Sequence, residues 1–125
     1  MNVVDSAGWL EYFAAGLNAD AFAGAIEATG DLVVPTVSVY EVFKRVLQQR
    51  GEGDALQAVA LMQQGSVVEL TTPIALEAAR TSVALGIPMA DSIILATARA
   101  FQATLWTQDS HFAEIEGVEY FPKSA

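Results

Sequence analysis

The sequence predicts an α/β domain built around a mostly parallel sheet of about five strands with helices packed against it. Three observations lead there. Short apolar runs alternate with stretches of helical period along the chain, the pattern of strands separated by helices. A length of 125 residues, 53% of them hydrophobic, with a mean hydropathy of +0.36, suits one domain with a full core, residues 1–125. No internal repeat, low-complexity stretch or interdomain linker interrupts it.

Residues 2–5 read as a short buried strand ending on an acid. Residues 7–15 and 18–28 read as helices, the first carrying Trp9, Leu10, Tyr12 and Phe13. Gly30 and Asp31 turn the chain into a second strand over 32–35. A helix follows over 38–49, with Val39, Val42, Phe43, Val46 and Leu47 on one apolar face. Gly51 and Gly53 break it, and another helix runs to about Gln64. Residues 67–70 form a third strand. Thr72 and Pro73 open the next helix with a hydroxyl cap and a first-turn proline. Gly86-Ile87-Pro88 interrupts it before a helix over 89–101. A fourth strand spans 103–106. Thr107-Gln108-Asp109 leads into a short helical turn, and residues 119–121 form a fifth, edge strand. Trp9 and Trp106, among apolar neighbours, read as core.

Composition excludes several chemistries. With no cysteine there are no disulfides, thiolate zinc sites or cysteine nucleophiles. A single histidine, His111, excludes a multi-histidine zinc site within one chain. It reads as a surface residue or a neighbour of the site rather than a base. No apolar run reaches membrane-spanning length, and strand residues begin almost at Met1, so no secretory signal and a cytoplasmic location are expected. The net charge of −9, with six basic residues, runs against the basic footprint usual in nucleic-acid binders.

Four carboxylates fall where the chain turns into a helix: Asp5, Glu41, Asp91 and Asp109. Each has an ordinary explanation as a cap or a partner of the helix dipole. For Glu41 that explanation is a capping box with Ser38. In parallel sheets ligands bind at the strand carboxyl ends, which places Asp5, Glu41 and Asp109 on one edge. Asp91 follows a helix–proline–helix junction, and the same rule does not place it. Carboxylates so gathered repel one another, and protons or divalent cations must offset that cost. Oxygen-only ligands suit Mg²⁺ or Mn²⁺, and a metal-dependent phosphodiester hydrolase is the chemistry expected.

Four stretches, in order, resemble the PIN domain family: Val4-Asp5-Ser6-Ala7 through Phe13, Val37 to Val42, Ala90-Asp91-Ser92 through Ala98, and Leu105 to Phe112. The small stand-alone form is similar to the VapC toxins of toxin–antitoxin pairs. That resemblance implies a five-stranded parallel sheet and a Mg²⁺- or Mn²⁺-dependent endoribonuclease. It also implies a homodimer and a cognate VapB-like antitoxin. It places the acidic quartet, including Asp91, on Asp5, Glu41, Asp91 and Asp109, and a hydroxyl on Thr107.

On this reading Asp5, Asp91 and Asp109 hold the ion, with Glu41 a direct or water-mediated ligand. Thr107 and Ser6 orient the carboxylates from behind. Lys44, Arg45 and Arg99 are the candidate contacts to RNA. Two rivals come from other classes. A phosphoacceptor signalling domain needs paired acids after its first strand and a lysine after its fifth, whereas Asp5 stands alone and the late lysine is Lys123. A catalytically silent binding module would keep the acids without cleavage.

Overall fold

The computed structural model describes residues 1–123. The strands are β1 (Asn2–Val4), β2 (Val33–Pro35), β3 (Ser66–Val68), β4 (Thr104–Thr107) and β5 (Val118–Tyr120). The helices are α1 (Ser6–Phe13), α2 (Ala19–Glu27), α3 (Thr36–Arg50), α4 (Glu52–Met62), α5 (Thr72–Leu85) and α6 (Met89–Ala100). Single 3-10 turns occupy Thr29–Asp31 and Ser110–Phe112.

Every strand pairing is parallel, and the hydrogen-bonded ladders fall into two groups, β1-β4-β5 and β2-β3. The expected five strands are therefore present, but as a three-stranded and a two-stranded sheet. One parallel bridge between Asn2 and Leu32 sets β2 beside β1. Each strand is only three or four residues long.

Successive strand side chains point to opposite faces, and the two faces bury different clusters. Val4 and Val34 join Trp9, Phe22, Leu32, Val42 and Met62 on one side. Val3 and Val33 join Ile94, Leu95, Leu105 and Phe112 on the other. Burying each such large side chain contributes about 1.5–3 kcal/mol, so both faces of the layer are fastened to helices. Gly8 permits one close approach: a Cβ there would lie 2.7 Å from Val4 Cγ1 and 3.1 Å from the Phe22 ring. α5 ends at Gly86 with φ 67°, a left-handed turn a side chain would strain.

Helix starts depart from expectation in two places. α3 begins at Thr36, directly after Pro35, rather than at Ser38. Pro35 holds φ at −65°, which leads straight into the helix, and no side chain caps it. Ser38 is instead fully buried with its hydroxyl unpartnered, so the expected capping box with Glu41 does not form. At α5 the cap is Thr71, accepting from the Ile74 N–H at 3.4 Å, rather than Thr72. Leu47, expected on the apolar face of α3, is exposed. Trp106 is half-buried, stacked on Phe121, and donates its indole N–H to Asn2 Oδ1. Among the described residues no single helix is long and apolar enough to cross a membrane.

Candidate metal centre and active site

The carboxyl ends of β1 and β4, the second turn of α3 and the first turn of α6 converge on a cavity of about 420 Å³ lined by Asp5, Glu41, Asp91 and Asp109. Four acids remote in sequence thus share one pocket. Ser6, Lys44 and Arg45 line it too.

Asp5 sits deepest, 3% exposed. Its backbone N–H continues the ladder onto Trp106 O, which fixes where the strand hands over to α1. Its Oδ1 accepts from the Gly8 N–H at 2.8 Å, capping α1, while its Oδ2 accepts from Thr107 Oγ1 at 2.6 Å. The capping role and the pocket role coexist, because each carboxylate oxygen retains a second lone pair. Burial pushes the Asp5 carboxyl up from 3.8 to about 7. The Thr107 and Gly8 hydrogen bonds oppose that rise, and the charges of Asp109 and Asp91 add to it.

Thr107 serves two acids at once. It donates to Asp5 and accepts from the Asp109 N–H at 2.9 Å, which ties the end of β4 to the pocket floor. Asp109 Oδ1 then accepts from the His111 N–H at 2.9 Å, capping the turn that carries Phe112. Ser6 donates to Glu41 Oε1 at 2.6 Å, joining α1 to α3 across 35 residues of sequence. With Ser38 out of reach as a cap, the Glu41 carboxylate is free to face the pocket.

Asp91 is half-buried, and burial raises its pKa. Its Oδ2 lies 2.7 Å from His111 Nδ1, a bond that lowers the pKa again but does not outweigh burial. The same nitrogen is 3.2 Å from Asp109 Oδ1, and both acids raise the pKa of the imidazole, Asp91 foremost. Ligand atoms of Asp91, Asp109 and His111 all lie within 4.8 Å of one another. The carboxylate oxygens of this group suit Mg²⁺ or Mn²⁺, hard ions that prefer oxygen donors. Among the described residues the buried Asp5 carboxylate forms no ion pair, which is the environment a divalent ion stabilises.

Of the three expected RNA contacts, Lys44 and Arg45 are at the pocket and Arg99 is not. Arg99 lines a separate groove with Pro73, Ile74, Glu77 and Thr81. Eight residues carry it about 12 Å along α6 and roughly 80° around from Asp91, onto another face. Tyr40 and Gln48, which are not among the site residues expected from the sequence, also line the cavity. Their signal was the spacing of Tyr40, Glu41, Lys44, Arg45 and Gln48 at one-turn intervals on a single helix.

A parallel α/β layer with carboxylates collected at one strand edge defines the class as an acidic-pocket α/β domain. The chain belongs to the PIN domain family, whose model matches residues 3–118. No curated protein sequence matches it. Among solved structures it resembles a chain of a toxin–antitoxin complex from Klebsiella pneumoniae, with a TM-score of 0.81 at 18% identity, covering 98% of this chain and 100% of that one. It also resembles Mycobacterium tuberculosis VapC20, a sarcin-ricin loop cleaving toxin, with a TM-score of 0.79 at 16% identity and coverages of 98% and 100%. A third is VapBC2 from Rickettsia felis, bound to a promoter DNA fragment, with a TM-score of 0.73 at 12% identity and coverages of 95% and 97%. At these identities the likeness is one of fold.

Proposed function

We propose that the chain is a divalent-metal-dependent endoribonuclease, the toxin of a VapBC-type pair. The observation that carries this reading is the buried Asp5 carboxylate, raised to about 7, facing Glu41, Asp91 and Asp109 in one open pocket. Keeping four acids together with no cation costs stability, and a site for Mg²⁺ or Mn²⁺ accounts for it.

Asp5, Asp91 and Asp109 would hold the ion, with Glu41 a direct or water-mediated ligand. When bound, the ion supplies Lewis acidity toward a phosphoryl oxygen and activates water near neutral pH. The protein's own share is positional. Thr107 and the Gly8 N–H fix both oxygens of Asp5, and Ser6 fixes Glu41. Lys44 and Arg45 stand at the mouth, where a phosphate backbone would approach. Hydrolysis by water leaves a 5′-phosphate and a 3′-hydroxyl. A cytoplasmic location and a homodimer go with this reading, as does a VapB-like antitoxin, and for the antitoxin the fold's likeness to toxin–antitoxin complexes is the support.

The test is cleavage of structured RNAs by partner-free protein with Mn²⁺ or Mg²⁺ against EDTA, alongside Asp5→Asn and Asp91→Asn. Metal-dependent cutting lost in both variants, with 5′-phosphate ends, is expected. A 2′,3′-cyclic phosphate product would refute the mechanism. Metal binding without cleavage of any RNA would leave a silent binding module.

A further inference from the structure

The rim of the pocket presents one aromatic surface that the acidic centre does not use. Tyr40 immediately precedes Glu41 on α3 and lines the cavity, yet it is 63% exposed. Lys44, one turn on, holds its Nζ 5.8 Å from the Tyr40 ring centroid. Residues four apart stack along a helix, so α3 carries two adjacent rows. One runs from Tyr40 to Lys44 and the other from Glu41 to Arg45, leading outward from the acids.

The charges here are also unusual for this chain. Arg50 pairs with Asp54, and Arg80 with Glu77. Among the described residues neither Lys44 nor Arg45 forms an ion pair, although the protein has 15 acids. Two unpaired cations and an exposed ring at the mouth of an anionic pocket complement a ligand with alternating phosphates and flat faces.

We infer that Tyr40 is a stacking platform for one unpaired base of the RNA substrate, with Lys44 and Arg45 holding the adjoining phosphates. A base inside a duplex has both faces covered by its neighbours, so this platform selects loops, bulges or single strands. The Lys44 ammonium near the ring adds cation–π attraction and leaves the ring's other face to the base. The inference rests on the nuclease reading and assigns Tyr40 the positioning of a base beside the acids.

The experiment measures binding of a short fluorescein-labelled single-stranded RNA, and of the same strand in a duplex. It uses Asp5→Asn as the non-cleaving background. Tyr40→Ala is expected to weaken single-strand binding about 5- to 150-fold, the loss associated with one stacked base, and to leave duplex binding unchanged. Tyr40→Phe restores binding to within about twofold, since the ring rather than the hydroxyl does the stacking. Tyr40→Trp binds at least as well, and its added fluorescence is quenched by the single strand. In the otherwise unmodified chain, Tyr40→Ala should raise KM for cleavage while kcat stays within a few-fold.

Unchanged binding by Tyr40→Ala, equal loss on single strand and duplex, or failure of Tyr40→Phe to restore binding would overturn the inference and leave the nuclease intact. Absence of both RNA binding and cleavage by the unmodified chain would overturn the two together. If Tyr40→Ala instead impairs capture of an antitoxin while RNA binding is unchanged, the ring belongs to a protein interface and the inference fails.

Discussion

Replacing Asp5 by Asn should make the metal-free protein gain stability relative to the parent as pH rises. The Asp5 carboxyl ionises near 3.8 when unfolded and near 7 when folded. Below 3.8 it is protonated in both states and contributes no penalty. Between the two values the unfolded chain has released a proton that the folded chain still holds, so stability falls by about 1.4 kcal/mol per pH unit. Above 7 both states are ionised and the penalty is constant. Asn carries no such charge. It can keep the acceptor for the Gly8 N–H and place its amide toward Thr107, and any cost of that change is the same at all pH values. Urea unfolding of parent and variant in EDTA, at about pH 5 and pH 8, should show the stability difference shifting toward the variant by about 2.5 kcal/mol. Adding Mn²⁺ at the higher pH should stabilise the parent and not the variant. A difference that stays constant with pH would mean that Asp5 ionises at its ordinary value, and the argument that this pocket calls for a cation would fail.

Metal affinity carries the same proton in reverse. Calorimetry in buffers of different ionisation enthalpy should show Mn²⁺ binding release protons below neutrality, with affinity climbing as pH rises and levelling above about 7. Thr107→Val should cost about 1–3 kcal/mol of stability, because the Asp109 N–H loses its acceptor and Asp5 its donor, and Thr107→Ser should recover most of it. Gly8→Ala should destabilise by about 1–3 kcal/mol, since the new methyl meets Val4 and Phe22; an unchanged Tm would show that α1 can shift away. Single-stranded RNA binding should weaken with salt at a log–log slope of only about −1.4, the value for two phosphate contacts. A slope steeper than about −4 would require cations from another subunit or segment.

The parts of this structure legible in the sequence are those set by local physics. Val3-Val4 and Val33-Val34 announce strands buried on both faces, and the positions of Asp5 and Asp109 follow from the strands they end. Spacing alone does not place Asp91, because it is brought in by how α6 packs in the fold, a tertiary fact with no local signature. The Ser38 capping box was a local signal that tertiary structure overrode: Pro35 started α3 early, and burial took Ser38 away from the helix end. Glu41 then found Ser6, 35 residues distant, a partner no periodicity could nominate. Arg99 lies away from the acidic pocket for a simpler reason, the rotation that accumulates over eight helical residues.

Net charge averages over places that differ in their local charge. The total of −9 argues against a polyanionic ligand, yet two of the six basic side chains stand at the one cavity where four carboxylates need a counter-charge. A divalent ion in that pocket would reverse much of the local field, while leaving the distant surface acidic. Long-range attraction to RNA would therefore be weak and short-range recognition decisive. Such a protein would discriminate among RNAs by shape and by exposed bases rather than by phosphate density. That follows from a buried Asp5, an unpaired Lys44 and Arg45, and an uncovered Tyr40 within one pocket, and from no property of the composition as a whole.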